Sequence, residues 1–562
     1  MMGWRRRSMA LVVMLLGWLA SPASAQTPPT GMPAALAALQ AGDFTGAETA
    51  LRAVLDDEPE NGRAWSLLGF SLRSQQRADE AIAAYETAID LPGSGPGALF
   101  NLGVMLALGP DRERGFEFLG QLRDQGGFDM TTIDLTPGIE SLRADPRYRD
   151  LFPGEAEFAE PFVESARILQ EWRGESLGDQ FGWIARDMGD VDGDGVHDVT
   201  TSAPTHVNDG PASGRIYGYS GRTGALLWTV DGSAGDQLGL GIEAAGDIDG
   251  DGIPDVIAGA PGNNYALAVS GRDGTLIRRY EAQEEGELFG RKVGDLGDVN
   301  GDGHDDVLIG APQNGAAGAN AGRAYVFSGA DGSVLLTLTG EEAGDGFGSS
   351  GGGMTSSDGQ TTIIVGAPNA GPGDRGATYV YHGLTTEPSF VIESDESGAQ
   401  LGAMFVSAVG DVNADGVVDV YAADWAANAN GAGSGRAYIH SGADGTQLYD
   451  LHGEAAGDGF GIGVADAGDV DGDGHADLII GAWQHGSAAP SGGKVYLYSG
   501  RDGSLQREIT GQVMGETFGF DATGVGDVDG DGVIDFLLTS AWSAVNGGRT
   551  GRMFIISGAP GA

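Results

Sequence analysis

The stretch GDVDGDGHADLIIGA (468–482) sets four carboxylates, Asp469, Asp471, Asp473 and Asp477, within nine residues and follows them with an apolar run. Like charges this close repel in water, so the arrangement needs either a bound counter-charge or hydrogen-bond donors that hold it. The interspersed glycines let the backbone curl around the acidic side chains. The run that follows has the length and composition of a buried strand. The stretch therefore reads as an acidic turn feeding a strand.

Copies of it recur. Aligned on the first Asp of each acidic loop, they begin at Asp190, Asp247, Asp298, Asp411, Asp469 and Asp527, with a degenerate copy between the third and the fourth. The period is about 55 residues, within the range of repeat architectures. Each copy opens on a Phe-Gly or Leu-Gly pair, at Phe181, Leu238, Phe289, Phe347, Leu401, Phe460 and Phe518. A short run then leads into the acidic loop and a run such as DVLIGAP (306–312). After a variable loop come GRAYVFSG (322–329), an Asp-Gly turn and VLLTLTG (334–340). Short apolar runs divided by Asp-Gly turns are strands in hairpins. Four strands per copy and seven copies predict an all-β seven-bladed propeller over 165–562. The last copy stops at GRMFIISGAPGA without a fourth strand, while ARILQEWRG (166–174) is an orphan strand ahead of the first. Arg167–Trp172 is therefore expected to close the ring as the outer strand of the final blade.

Residues 33–126 follow a different rule, with apolar and Ala positions recurring at three and four residues as in amphipathic helices. A spacing of 34 relates Ala47, Ala81 and Gly115, small residues suited to close helix crossings. The middle copy places Trp65, Leu68, Gly69, Ala81, Tyr85 and Ala88 so that the stretch resembles a tetratricopeptide repeat, in about three copies. The chain is thus expected to be multidomain, all-α helical repeats followed by the propeller. Pro137, Pro146 and Pro153 punctuate 127–164, expected as a cap and linker.

At the other end of each β repeat stand Gly259-Ala260-Pro261, Gly310-Ala311-Pro312 and Gly366-Ala367-Pro368. Phe-Gly, then the acidic loop, then Gly-Ala-Pro resembles the FG-GAP repeat of integrin α-subunit propellers. Trp425, Trp483 and Trp542 replace the Pro in the last three blades and are expected to pack between blades.

A loop with Asp at positions 1, 3, 5 and 9 can wrap one calcium ion, a hard cation that takes six to eight oxygens. The expected ligand sets are Asp190, Asp192, Asp194 and Asp198; Asp247, Asp249, Asp251 and Asp255; and Asp298, Asn300, Asp302 and Asp306. The later three are Asp411, Asn413, Asp415 and Asp419; Asp469, Asp471, Asp473 and Asp477; and Asp527, Asp529, Asp531 and Asp535. Thr201 stands at position 12 of the first loop and a strand-like run follows, which excludes an EF-hand and matches the β-hairpin form of the resembled family. Magnesium fits less well, since it keeps waters and demands octahedral geometry. The structural alternative is an Asp-Gly turn whose carboxylates only bond backbone amides. The degenerate copy, GGGMTSSDGQTTIIVGAP (351–368), keeps Asp358 alone, so blade four is expected to hold no ion: about six Ca²⁺ sites in all.

Composition bounds the partners. Of 562 residues, 80 are acidic and 31 basic, a formal charge of −49, which argues against nucleic acid or anionic lipid. Arg5, Arg6 and Arg7 ahead of MALVVMLLGWLA (9–20) and Ala23-Ser24-Ala25 read as a signal peptide over 1–25, with no membrane span after cleavage. An exported chain with no Cys must draw rigidity from its core or from metal. These features predict a secreted, periplasmic or cell-surface protein and fit a bacterial source. No catalytic set emerges. Gly348 to Gly352 matches G-x-S-x-G only by glycine richness, and His304 and His475 read as surface-exposed loop histidines. The expected role is a non-enzymatic, adhesion-type interaction protein. A peptide or protein would bind the helical repeats, and a protein or glycan the propeller face away from the acidic loops, the ligand side that the integrin resemblance implies. The candidate loops there are 205–213, 313–321, 425–435, 484–492 and 543–550. The alternatives are a Ca²⁺-dependent carbohydrate-binding protein or a propeller-based polysaccharide lyase or hydrolase.

Overall fold

Apolar stripes draw the first third of the chain into paired helices. In the computed structural model, which describes residues 31–559 apart from 110, 357–358 and 397–399, three pairs form in sequence order. They are α1 (Met32–Gln40) with α2 (Phe44–Asp57), α3 (Gly62–Ser74) with α4 (Ala78–Ile89), and α5 (Pro96–Leu108) with α6 (Arg112–Gln125). Asp43 and Asn61 cap α2 and α3, accepting the N–H groups of Gly46 (2.8 Å) and Ala64 (3.0 Å). The small residues spaced by 34 sit at the crossings. Ala47 and Ala81 are fully buried, and a Cβ on Gly115 would come within 2.3 Å of the Ala107 nitrogen. Leu51, Leu68, Leu72, Tyr85 and Leu102 fill the core between the helices. The described chain divides into two compact units with the boundary between Gly154 and Glu155. The short helices after 127 are therefore shared out, 127–154 going with the helical unit and 155–164 with the second. The signal segment 1–25 lies outside the described residues. No helix among them is long and apolar enough to cross a membrane.

The second unit is a ring of seven four-stranded antiparallel sheets. In blade 3 the strands are Lys292–Gly297, Asp306–Ala311, Arg323–Phe327 and Val334–Thr339, in register through Val293↔Ile309, Ile309↔Tyr325 and Tyr325↔Thr337. The second strand of each blade is covered on both sides by neighbouring blades and buried along its length, so in blades 2, 3 and 6 it reads as a continuous apolar run rather than an alternation, while blade 1 fills the same place with Thr200, Thr201 and Ser202. The Phe or Leu of the opening pair is buried in all seven blades. At this point the blades touch through backbone. Gly322 has φ +88°, and a Cβ there would lie 2.1 Å from the Phe347 carbonyl oxygen of the next blade, so only glycine fits.

The ring closes on the orphan segment. Ile168–Arg173 pairs antiparallel with Arg552–Ile556, with Trp172 opposite Met553, and completes blade 7. Phe162 packs on Phe518 and Phe554, its ring centroid 4.6 and 5.5 Å from theirs. At the seam Arg552, 1% exposed, meets Glu171 at 3.0 Å and Glu516 at 3.3 Å and donates to the Phe158 carbonyl at 2.9 Å. Burying these charges is costly, and the mutual contacts offset that cost. Arg552→Ala would strand Glu516 in the interior. The expected loss, read as the shift in urea unfolding, is about 3–5 kcal/mol. A loss under about 1 kcal/mol, the value of an exposed pair, would show that the seam does not depend on this cluster.

Candidate metal centres and the loops opposite them

Each acidic loop joins the first and second strands of its blade, and its carboxylates gather because backbone N–H groups converge on them. In blade 1, Gly193 and Asp194 N–H donate to Asp190 Oδ1 (2.8 and 3.0 Å) and Gly195 N–H to Asp190 Oδ2 (2.9 Å). Asp192 and Asp194 accept the N–H groups two residues on, at 3.0 and 2.9 Å. Asp198 is fully buried. Its Oδ2 accepts from Val191 (2.9 Å) and Asp192 (3.1 Å), and its Oδ1 from Gly221 (3.1 Å) in the turn between the third and fourth strands. The ninth carboxylate thus ties the two turns at one end of the blade. Asp255, Asp306, Asp419, Asp477 and Asp535 make the same pair of links, to Gly271, Gly329, Gly442, Gly500 and Gly558.

The amide bonding of the Asp-Gly turn is present, and so is a cage. Carboxylate oxygens lie within 4.8 Å of one another in Asp190/Asp192/Asp194, Asp247/Asp249/Asp251, Asp469/Asp471/Asp477 and Asp527/Asp529/Asp535, groups that could hold a metal ion. The other two loops carry Asn at position three. There Asn300 Nδ2 points to Asp306 Oδ1 (3.5 Å) and Asn413 Nδ2 to Asp415 Oδ2 (2.9 Å), while Asp298 keeps all three amide bonds of Asp190 and Asp411 two of them, from Asp415 and Gly416. Burial pushes the ninth carboxyls up, Asp255 to about 7 and Asp198, Asp306 and Asp419 to about 6, because the amide bonds only partly offset the loss of water. Burial pushes Asp477 and Asp535 in the same direction.

Sequence reasoning passed over two features here and misread another. Arginines of the outer turns reach back to the loops, Arg222 to Asp194 (3.1 Å), Arg272 to Asp251 (3.5 Å) and Arg501 to Asp473 (3.7 Å), and Arg167 reaches Asp529 (2.9 Å). All four are more than half exposed, so their attraction is screened and offsets little of the repulsion. Secondly, His304 and His475 are not surface-exposed as expected. They are half-buried, and their Nδ1 atoms meet the carbonyls of Ile248 (2.9 Å) and Val412 (2.8 Å) in the preceding blade, since each loop leans on its neighbour.

The third lies at the opposite end, where an acid stands two residues before the Phe-Gly or Leu-Gly pair in six of the copies. Asp179, Asp236, Glu287, Asp345, Asp458 and Glu516 are buried. Each of the first five accepts an N–H three or four residues back, closing the loop that enters its blade. Partners come from the loop after the second strand: His206 for Asp179 (3.0 Å), Asn263 for Asp236, Asn314 for Glu287 (2.5 Å) and Ser543 for Glu516 (2.8 Å). The recurring acid was visible in the sequence, but its partners vary from blade to blade and gave no pattern.

In blade four, Thr355 Oγ1 donates to the Leu296 carbonyl (2.9 Å) and meets Thr361 Oγ1 at 2.7 Å, while Ser356 Oγ accepts from Val418 N–H (3.3 Å). Met354 and Thr362 stand at the first and ninth positions and Ser356 at the third, where other blades carry acids or Asn, and Asp358 lies outside the described residues. Trp483 is 5% exposed, edge-on to Trp542 at 4.7 Å and to Phe520 at 5.6 Å. Trp542 is half-buried beneath the Arg549 guanidinium (4.0 Å), and Trp425 is also half-buried.

Family models agree with this geometry. The tetratricopeptide repeat matches 32–98 and 71–114, the FG-GAP repeat 293–327, and the FG-GAP-like repeat 247–309 and 469–538. The chain carries tetratricopeptide and FG-GAP repeats. Among curated proteins, the FG-GAP-repeat chain is similar to integrin alpha-2 of Mus musculus (29% identical over 33% of this chain and 17% of that protein). It is also similar to integrin alpha pat-2 of Caenorhabditis briggsae (28%, covering 45% and 18%) and integrin alpha-PS2 of Drosophila melanogaster (33%, covering 29% and 13%). The chain therefore spans less than a fifth of the length of these relatives. A solved structure, MamA 41-end from Desulfovibrio magneticus RS-1, aligns over 16% of this chain and 52% of that one at 23% identity; its TM-score of 0.16 carries no structural argument.

The ninth carboxyls give the metal-free protein a distinctive pH response. Their folded pKa values stand above the unfolded value of about 3.9, so the folded state binds more protons and stability rises as pH falls through about 7 to 6. In chelator, the melting temperature is expected to increase between about pH 7.5 and pH 6. A fall over that window would contradict the burial assigned to Asp255 and its counterparts.

Proposed function

We propose that the protein is an exported, calcium-stabilised interaction scaffold. The observation that carries this reading is the repetition of one acidic cage at one end of six blades, with the oxygens of four of them already within 4.8 Å. Calcium suits it better than magnesium because the donors are all oxygens, are numerous and sit in a pliant glycine-bearing turn. The basic n-region, apolar run and small-residue site of 1–25 support export.

In a four-stranded antiparallel blade, the acidic loop and the outer turn share one end, so the loops after the second and fourth strands share the other. That end is the binding face for a protein partner, built from 205–213, 313–321, 425–435, 484–492 and 543–550 on anchors such as Asp179 and Glu287. The helical repeats supply a second, peptide-binding surface, as tetratricopeptide stacks expose a concave face. A glycan-binding role has less support, because Trp483 and Trp542 spend their rings on each other rather than offering an open stacking platform. The principal role is binding, for which neither repeat needs a reaction centre.

The test is retention of partners by the immobilised full-length chain from the exported protein fraction of its source, in calcium and in chelator. Calcium-dependent retention of a protein is expected. It should be lost with Ala316→Arg on the proposed binding face and kept with Thr223→Arg among the outer turns. Loss with Thr223→Arg alone, or displacement by free sugars, would overturn the assignment.

A further inference from the structure

Blades 3 and 6 share one loop design after the second strand, Gln313-Asn314-Gly315-Ala316 in one and Gln484-His485-Gly486-Ser487 in the other. In blade 3, Asn314 Nδ2 donates to Glu287 Oε2 (2.5 Å), and its Oδ1 accepts the N–H of Ala316 (3.0 Å), which closes the turn. In blade 6 three positions change together, the acid, the Asn and the Ala, to Asp458, His485 and Ser487. Asp458 replaces Glu287, and its Oδ1 lies 3.1 Å from His485 Nδ1, at ion-pair distance though not in hydrogen-bond alignment. On the other side of the ring, His485 Nε2 lies 2.7 Å from Ser487 Oγ and 4.0 Å from Glu454 Oε2, the farther of the two carboxylates and one already paired with Lys494 Nζ at 2.7 Å. Asp458 is fixed by Ala455 N–H at its Oδ2 (2.7 Å) and by Gln484 N–H at its carbonyl. Asp458 and His485 are buried, whereas Ser487 is exposed.

The chemistry follows from which nitrogen faces which oxygen. A carboxylate beside Nδ1 favours the tautomer protonated there, which leaves Nε2 to accept the Ser487 hydroxyl proton. The Ser487 N–H, whose counterpart in blade 3 is taken by Asn314, is released. Neither it nor the N–H of Gly486 or Ala488 meets an acceptor among the described residues, so all three remain able to donate to an oxyanion. Blade 1 is the internal contrast. His206 and Asp179 pair at 3.0 Å, but the residue two further on is Asn208, which offers no hydroxyl.

We propose that Ser487 is a nucleophile, activated by His485, that accepts acyl groups from small carboxylic esters. This activity is separate from the scaffold role and does not rest on it. Oγ bonds to the ester carbonyl carbon as its proton passes to Nε2. Collapse breaks the bond to the alcohol oxygen, and the departing alcohol takes that proton. Water then attacks the acyl-serine by the same relay, releasing the acid and restoring Ser487. Asp458 acts through the imidazole as a positioning residue; its contact with Nδ1 would tighten when substrate binds.

The test treats the full-length protein with a fluorophosphonate probe and locates the adduct by peptide mass spectrometry. Oγ displaces fluoride from phosphorus and the proton leaves through Nε2, so the expected result is one adduct per chain at Ser487. Ser487→Ala should abolish it. His485→Asn, which restores the residue blade 3 carries, should leave the melting temperature unchanged and slow labelling by about 100-fold, the usual share of a general base. Asp458→Asn should slow labelling of Ser487 while the melting temperature stays as in the parent protein, because the imidazole then lacks the carboxylate that positions it at Nδ1. Labelling of Ser487 no faster than of other exposed serines, or unaltered by His485→Asn, would overturn the proposal and leave the cluster as a loop clasp.

Discussion

Six buried carboxylates, at Asp198, Asp255, Asp306, Asp419, Asp477 and Asp535, hold this propeller's blades in shape. Each stands at the head of a second strand and binds backbone N–H groups on both sides, from its own acidic loop and from the outer turn, 16 residues on for Asp255 and 23 for the other five. A carboxylate is suited to this because one side chain accepts several bonds at once, as no amide or hydroxyl can while keeping a charge. The cost is a buried charge beside two or three others, which raises the carboxyl pKa and leaves the loop short of positive charge. The nearby arginines are too exposed to supply it, and a divalent cation in the cage would. Blade four has Met354 and Thr362 at the first and ninth positions, and its hydroxyls at Thr355 and Ser356 bond a carbonyl and a backbone N–H of the neighbouring blades instead.

What the sequence made legible was whatever repeats. Seven Phe-Gly or Leu-Gly pairs, six acidic loops and the missing last strand were enough to lay out a ring and to find the segment that closes it. The 34-residue spacing of Ala47, Ala81 and Gly115 did the same for the helices. The links between turns were not legible, because Asp198 reaches the backbone of Gly221, and every residue type but proline offers the same N–H. The histidine struts were misread for a related reason. His304 lies in a polar loop, and only the neighbouring blade, about 50 residues back in sequence, covers it. The anchors opposite failed differently: the acid recurs, but its partner is His, Asn or Ser, a variety that conceals a shared role.

Form and function divide along the blade. One end concentrates the carboxylates and their amide bonds, and substitutions there should act on stability. The other end presents loops rich in Gly, Ala, Asn and Ser, pinned at their bases by buried acids and free at their tips, as suits surfaces that diversify without disturbing the core. Because the chain has no cysteine, the stiffness of those loops depends on packing between blades and on the charged end being neutralised. Blade 6 shows how small a change is needed to place such groups on this face, since its anchor differs from that of blade 3 by an imidazole, a hydroxyl and an acid one methylene shorter.

The most direct measurement is the calcium content of the folded protein at saturation, by equilibrium dialysis followed by elemental analysis, with melting temperature recorded on the same samples. Six ions per chain are expected, at dissociation constants in the range of about 10⁻⁴–10⁻³ M common for extracellular modules, together with a melting temperature that climbs as the sites fill. An empty protein at millimolar calcium, or full occupancy with no change in melting temperature, would contradict the role given to the acidic loops.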